Sequence, residues 1–359
     1  MPKGVKLDDA LIKETASVYL KHGSNISAAS RELGISRQAL HNRLSAAEKA
    51  GLLEPRPAEA NLSRWRPWDE LVGARKKEFA RVKAAGDGRR IHPRPLADDG
   101  PFLAIPLGDP HLDSPGTDLG LWERWTLDTI AKAQEAGVDA HLKLIGLGDW
   151  TDNWPRFLAF LYGYSETPAP EGWILLEGYL DRIAPYMEAS VSGNHDDWSN
   201  PTDLLGKLMR DRGVLHRQCA LRVGFQTPQG RMVTFGLRHR FLGNSQWNPA
   251  HAVTKAAQLG WRDTVLVGGD KHISGHGLVR CPDTGRLTWC YQVAAFKTHD
   301  DYGDQLGLLD KHVSPAVAMV IDPRRADDDP QLVTVFYEPE AAVDYLAFAR
   351  ARFEAGKAA

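Results

Sequence analysis

The feature that most constrains this chain is a series of five short apolar segments, each ending in residues of metal-binding type. The segments alternate with helical patterns after Pro101, which is typical of a layered α/β domain. In open α/β sheets, ligand sites form at the carboxyl ends of strands, so the residues that follow these segments are expected to converge. The predicted strands are Phe102–Leu107, Leu142–Leu147, Ala189–Ser192, Met232–Leu237 and Thr264–Val267.

The polar residues after these strands contribute nothing to a hydrophobic core. Asp109 and His111 are two positions apart, so in a strand-like exit both can point to one side and chelate one ion. Asp149 supplies a carboxylate able to bridge two cations, and Asn194 a neutral amide oxygen. A glycine directly before a ligand relieves crowding at the turn. The five motifs are Gly108-Asp109-Pro110-His111, Gly148-Asp149, Gly193-Asn194-His195-Asp196, Arg238-His239 and Gly269-Asp270-Lys271-His272.

Together, D-x-H, G-D, G-N-H-D, a later His and a final G-x-x-H resemble the calcineurin-like metallophosphoesterases over about residues 101–340. The resemblance implies a four-layer α/β/β/α sandwich and metal-assisted hydrolysis of a phosphoester by two divalent ions. It also implies that His195 is not a ligand, and that it lies beside the scissile phosphate to stabilise or protonate the leaving group. The implied ligands are Asp109, His111, Asp149 and His272 for one ion, and Asp149, Asn194, His239 and Asp270 for the other.

The last motif departs from the family pattern. The family usually has G-H-x-H, whereas this chain has Gly269-Asp270-Lys271-His272. If Asp270 replaces the first histidine, the second site gains a carboxylate and should prefer Mn²⁺ or Mg²⁺. We therefore expect Mn²⁺ first, with Mg²⁺, iron or Zn²⁺ as alternatives. His276, four residues beyond His272, is a competing ligand.

Two further groups near the ligand loops have open roles. Asp113, Asp118, Asp152 and Asn153 are candidates for orienting the ligands, yet Asp and Asn are also ordinary turn formers. Four tryptophans near these loops could stack on bases, although packing of the loops is the favoured interpretation because tryptophan is usually largely buried. These tryptophans are Trp150, Trp154, Trp198 and Trp247.

The N-terminal residues 1–50 predict a helix-turn-helix domain. The segment NISAASRELGISRQALHNRL resembles the helix-turn-helix of bacterial and phage DNA-binding proteins, with Ser36 placed to cap a helix from Arg37. Ser30 is a mild departure, because a small Ala is commoner there. The alternative is a three-helix module for protein contacts or oligomerisation. Residues expected to face the major groove are Ser36, Arg37, Gln38, His41, Asn42 and Arg43.

Charge and composition also separate the N-terminal part of the chain from the part that carries the five motifs. Residues 1–96 carry a net charge of +8 and the remainder −10, which suits a polyanion partner and a metal site respectively. Residues 51–100 contain five prolines and are interpreted as a basic linker with one short helix, and residues 101–359 as the catalytic domain. The three cysteines form no C-x-x-C pair, and neither a signal core nor a membrane span is evident. A cytoplasmic location is therefore expected.

The leading hypothesis is a phosphodiesterase that the helix-turn-helix brings to DNA. The alternatives are a phosphoesterase acting on small nucleotides, RNA or phosphoproteins, and a DNA-binding regulator without catalysis. The domain pairing favours DNA as a partner, while the sequence leaves open whether the chain forms a homodimer.

Overall fold

The computed structural model describes residues 8–53, 66–85, 90–198, 203–299 and 314–358. Contacts between residues divide the chain into two compact units, Met1–Gly86 and Asp87–Ala359. No helix in the described part of the chain is both long and apolar enough to cross a membrane. The N-terminal unit contains α1 (Asp9–Lys21), α2 (Ile26–Glu32), α3 (Arg37–Lys49) and α4 (Trp68–Ala85).

Local capping explains where α2 and α3 begin. The side chain of Asn25 accepts a hydrogen bond from Ala28 N at the start of α2, and Ser36 Oγ accepts one from Ala39 N at the start of α3. Gly34 makes the intervening turn with a left-handed φ of 64°. Leu40 and Leu44 of α3 are fully buried against the other helices. The predicted helix-turn-helix is thus confirmed.

The large unit is built on two six-stranded sheets. One has the order β1-β6-β7-β8-β10-β9 and the other β12-β11-β2-β3-β4-β5, in which β2 to β5 are all parallel. The strands are β1 (Ile91–Pro95), β2 (Phe102–Leu107), β3 (Leu142–Gly146), β4 (Met187–Ser192), β5 (Leu215–Gln218), β6 (Ala220–Gln226), β7 (Met232–Arg238), β8 (Val265–Gly268), β9 (Gly275–Arg280), β10 (Leu287–Gln292), β11 (Ala318–Ile321) and β12 (Val333–Phe336).

Helices cover the outer face of each sheet. One core lies between the sheets, a second lies between the β2 sheet and its helices, and a third lies under α10. This is the four-layer α/β/β/α sandwich that was predicted. The helices are α5 (Leu119–Glu123), α6 (Thr129–Glu135), α7 (Ala169–Ile183), α8 (Asn194–Trp198), α9 (Leu204–Asp211), α10 (His251–Gln258) and α11 (Pro339–Ala358).

The structure corrects one part of the predicted linker. Residues 91–95 form β1, which pairs in parallel with β6, so this stretch belongs to the large unit and its sheet. Its sequence, IHPRP, has no alternating apolar pattern, and its two prolines are tolerated because β1 lies at a sheet edge. Residues 54–65 and 86–89 of the predicted linker lie outside the described residues.

Candidate metal centre

Asp149 is the point at which the motifs meet. It follows β3, and its Oδ2 lies 3.2 Å from His239 Nε2 and 3.9 Å from both His111 Nε2 and His195 Nε2. His111 follows β2, His195 follows β4, and His239 follows β7 of the other sheet. The carboxyl ends of strands from both sheets therefore bring their side chains to one carboxylate. One potential ligand atom from each of His111, Asp149 and His195 lies within 4.8 Å of the other two.

The first predicted ligand set lies on the β2 side of Asp149. Asp109 Oδ2 is 3.8 Å from His272 Nε2, and the rings of His111 and His272 are 5.2 Å apart. Asp109 and His111 are almost completely buried. Asp109 Oδ1 and His111 Nε2 have no hydrogen-bond partner within the described ranges, which is costly for buried polar atoms. Both are donor atoms that a divalent cation would satisfy.

The second predicted set surrounds His239. Its Nδ1 lies 2.8 Å from the carbonyl oxygen of Leu147, which can only accept, so Nδ1 carries the hydrogen. In its neutral form, which metal binding requires, the ring therefore presents a lone pair at Nε2. That atom lies 3.2 Å from Asn194 Oδ1 and 3.7 Å from Asp270 Oδ1. A backbone carbonyl that fixes the ring in this way is a common support for a metal-binding histidine.

The structure brings Asp270 to this cluster by the backbone as well as by the side chain. Its amide donates to Asp109 Oδ2 at 2.7 Å, and its Oδ2 lies 3.3 Å from Arg240 Nε. The competing candidate, His276, instead lies 3.1 Å from the Tyr337 hydroxyl and stacks on Tyr291. The structure therefore places Asp270 within this cluster, whereas His276 contacts two tyrosines.

Two of the glycines that precede proposed ligands are required because an aspartate side chain lies directly against each of them. A Cβ at position 193 would lie 2.0 Å from Asp149 Oδ1, and one at position 269 would lie 2.4 Å from Asp109 Oδ1. Both distances are far below van der Waals contact. Gly193 and Gly269 thus allow the ligand loops to pass directly against the carboxylates.

The backbone of the site has an unusual conformation. Eight described residues other than glycine have a positive φ, and five of these are in or beside the cluster. Such left-handed conformations are unfavourable for residues with a Cβ and often accompany functional sites. The five are His111 (43°), Asp149 (50°), Asn153 (38°), Asp270 (69°) and His272 (49°).

Three of the four proposed orienting residues contact the site. Asp152 Oδ1 lies 2.8 Å from His111 Nδ1, and Asp113 Oδ1 accepts a hydrogen bond from Asp152 N at 2.6 Å. Asn153 Nδ2 donates to the carbonyl oxygen of His195 at 2.6 Å. Asp118 has the ordinary local role, because it caps α5 by accepting from Leu121 N.

Asp196 is a supporting residue that sequence reasoning missed. Its buried carboxylate accepts hydrogen bonds from the backbone amides of Asp149 at 2.8 Å, Trp150 at 3.0 Å and Gly193 at 2.8 Å. It therefore joins the loop after β3 to the loop after β4. The sequence feature that could have identified Asp196 was its position as the last residue of the G-N-H-D motif.

Burial and mutual repulsion shape the electrostatics of the cluster. Burial raises the pKa of Asp109 to about 7. Burial also opposes ionisation of Asp149, but the neighbouring histidines, His239 foremost, hold the pKa of Asp149 below its ordinary value. Burial, followed by the charge of His111, lowers the pKa of His195 to about 4. Buried carboxylates that lie close together, with little water around them, favour the binding of a cation.

Fold and site together define a class of protein: an α/β/β/α sandwich with an Asp/His/Asn cluster at its strand ends, preceded by a helix-turn-helix. Residues 12–60 match the family model for the PucR C-terminal helix-turn-helix domain. The sandwich and the helix-turn-helix are the two parts that the sequence resemblance predicted.

Two solved structures are similar to this chain at 10% sequence identity. One is a conserved uncharacterised protein from Streptococcus pneumoniae described as a predicted phosphoesterase, with a TM-score of 0.29. The other is wild-type Vps29 from Entamoeba histolytica complexed with Zn²⁺, with a TM-score of 0.33. Each comparison covers 66% of this chain and 97% of the other. No curated protein matches the chain.

Proposed function

We propose that this chain is a metal-dependent phosphoester hydrolase of the calcineurin-like class, acting as a phosphodiesterase on DNA. The observation that carries the proposal is the placement of Asp149 between two sets of donor atoms, beside Asp109 Oδ1 and His111 Nε2, which are buried without a hydrogen-bond partner in the described ranges. The donors are carboxylates, imidazoles and one amide, with no thiolate among them. This set suits Mn²⁺, with Mg²⁺, iron and Zn²⁺ as the other candidates.

Two ions would share Asp149. When bound, they would polarise the phosphoryl oxygens and stabilise charge on the attacking and leaving oxygens. The residues that would hold one ion are Asp109, His111, Asp149 and His272, and those for the other are Asp149, Asn194, His239 and Asp270.

His195 is the proposed proton donor to the leaving group. Its Nδ1 donates to the carbonyl oxygen of Asp152 at 2.6 Å, which directs Nε2 towards Asp149. Burial and the charge of His111 lower the pKa of His195. The negative charge of a phosphoester beside Nε2 favours protonation there. The Nε2 proton is then available to the departing alcohol.

Two cations adjoin the cluster and would attract an anionic substrate. Arg240 Nε lies 3.3 Å from Asp270 Oδ2, and Lys297 Nζ lies 3.9 Å from Asp152 Oδ1. The Arg240 side chain is 64% exposed, so its guanidinium can turn from the carboxylate to a phosphate. Both residues are expected to assist substrate binding more than the chemical step.

The N-terminal unit supports DNA as the substrate. Ser36, Arg37, Gln38 and Asn42 are exposed at the start of α3, the position that enters the major groove in helix-turn-helix proteins. Ser36 also caps the helix, so its oxygen is already engaged. Arg37 and Gln38 are consequently the best placed to contact phosphates or base edges, whereas His41 and Arg43 are only partly exposed.

The test is a matrix of metals and substrates on the full chain. Mn²⁺, Mg²⁺, Fe²⁺, Zn²⁺ and metal-free buffer are each combined with single- and double-stranded DNA, RNA, a phosphopeptide and bis(p-nitrophenyl) phosphate. We expect Mn²⁺-dependent DNA cleavage that falls on the order of 10²–10⁴-fold in His195→Ala. His141→Ala is the matched control, because His141 precedes β3 at its opposite, amino end.

The same matrix separates the alternatives. Hydrolysis of bis(p-nitrophenyl) phosphate, RNA or the phosphopeptide without DNA cleavage would replace DNA by one of the other substrates. DNA binding that survives Asp149→Asn, with no hydrolysis of any phosphoester by the wild type, would identify a regulator without catalysis. Equal activity of wild type and His195→Ala would remove His195 from the mechanism.

A further inference from the structure

An aromatic cluster adjoins His195 and has no part in the metal centre. The ring of Trp198 lies 4.0 Å from that of His195 with an interplanar angle of 39°, and Trp154 lies 4.8 Å from His195. The two indoles are 5.8 Å apart. The proposed proton donor is therefore flanked by two tryptophans.

Packing accounts for some tryptophans near the site but not for Trp198. Trp150 is completely buried, as expected of a residue that packs the loops. Trp198 is 40% exposed although its ring contacts the site. It lies on α8, the same short helix that carries Asn194 and His195, so its backbone is held at a fixed place relative to theirs. A large aromatic surface presented to solvent at an active site is suited to binding an aromatic group.

A cation lies beside the same cluster. Lys297 Nζ is 5.7 Å from the centre of the Trp154 ring and 3.9 Å from Asp152 Oδ1. A flat aromatic surface next to a positive charge matches a nucleotide, which joins an aromatic base to an anionic phosphate. Base stacking on tryptophan tolerates any base, because every base has a π face.

We propose that Trp198 is a stacking platform for the base of the nucleoside that leaves from the scissile phosphate. This inference rests on the proposed function, in which His195 protonates that leaving nucleoside. A base within a duplex is stacked on its neighbours and cannot reach the indole, so the platform selects a strand whose base is unpaired at the cleavage point. Trp198 is thus a specificity-determining residue, and the substrate class is single-stranded or locally opened nucleic acid.

A cycle of enzyme and substrate variants tests the proposal. The substrates are a dinucleoside monophosphate, too short for the helix-turn-helix to read, and two counterparts that each lack one base. The nucleoside released without phosphate identifies the leaving side. Trp198→Ala should lower kcat/KM for the base-bearing substrate about 5- to 150-fold, the range of one base–aromatic stack. It should change kcat/KM little when the leaving base is absent.

Matched variants separate stacking from packing. Trp198→Phe keeps a π face and should retain most of the discrimination, whereas Trp198→Leu keeps apolar volume without that face and should behave as Trp198→Ala. Trp247→Ala removes an indole that is 92% exposed on another loop and should leave the discrimination unchanged. Circular dichroism of each variant verifies folding.

The outcomes also distinguish this inference from the proposed function. Equal losses on base-bearing and base-free substrates would mean that Trp198 only positions His195, which overturns the inference. The inference would also be overturned if the loss caused by Trp198→Ala depended on the base that stays with the phosphate. Hydrolysis of bis(p-nitrophenyl) phosphate without cleavage of any dinucleotide would overturn it as well. Absence of hydrolysis of every phosphoester with every metal would instead overturn the proposed function itself.

Discussion

Replacing Asp196 should show how strongly one buried carboxylate supports the metal centre. It accepts three backbone hydrogen bonds from two loops, and Ala would leave all three buried amides without this acceptor. Each unsatisfied buried donor costs roughly 1–3 kcal/mol, so Asp196→Ala should lower the free energy of unfolding by at least about 3 kcal/mol. In Asp196→Asn, the amide oxygen can keep the two bonds made by Oδ2 and lose the one made by Oδ1, which predicts a loss of roughly 1–3 kcal/mol.

Urea unfolding of the metal-free chain, monitored by circular dichroism, measures both variants. Asp197→Asn is the matched control, because Asp197 is the exposed next residue and its replacement should change stability by less than about 0.5 kcal/mol. Equal effects of the Asn and Ala variants, or a loss no greater than that of Asp197→Asn, would refute the reasoning. Metal affinity should fall in the same order, since the loop that carries Asp149 depends on these bonds.

Three further predictions concern pH, DNA and metal binding. Burial lowers the pKa of His216 to about 4, whereas this histidine takes up its proton near pH 6.5 in the unfolded chain. As the pH falls from 6.5 to 4, the free energy of unfolding should therefore decrease by about 3 kcal/mol. Urea titrations of His216→Phe should lack this decrease. Arg37→Ala should reduce the slope of log affinity against log salt by about 0.9 in DNA titrations, and an unchanged slope would exclude a phosphate contact. Gly269→Ala should weaken metal binding roughly 10- to 100-fold by calorimetry because its Cβ meets Asp109 Oδ1, while Gly178→Ala, whose Cβ meets only Arg182 at 3.7 Å, should match wild type.

The helices and buried strands could be predicted because their signals are local. Ser36 caps α3 as expected, and α3 begins at the predicted residue, Arg37. The apolar run FLAIPL forms β2, which is buried at every position. By contrast, β5 and β6 escaped prediction. The short β5 reads LHRQ and is half exposed, so it depends on pairing with β4 that no local pattern records.

In the candidate metal centre, too, some features follow from local sequence motifs and others only from the fold. The convergence of Asp109, His111 and Asp149 could be predicted because each lies within a short motif at a strand end. The roles of Asp152 and Asp118 could not be separated, since both are aspartates in loops near the ligands. Only the fold shows that Asp152 reaches His111 while Asp118 caps a helix. Asp196 was missed because its partners are backbone amides, which leave no mark in a sequence.

Some positions of the candidate site have a left-handed backbone, so the residue that is best for stability there differs from the residue that the proposed chemistry requires. Each such residue with a Cβ costs roughly 1 kcal/mol relative to glycine. A library selected only for heat resistance should therefore accumulate Gly or Asn at His111, Asp149, Asp270 and His272. Selection for turnover should restore the original residues, and added Mn²⁺ should narrow the gap because metal bound only to the folded chain stabilises it. The thermal shift produced by metal thus reports whether a variant has kept its metal-binding residues.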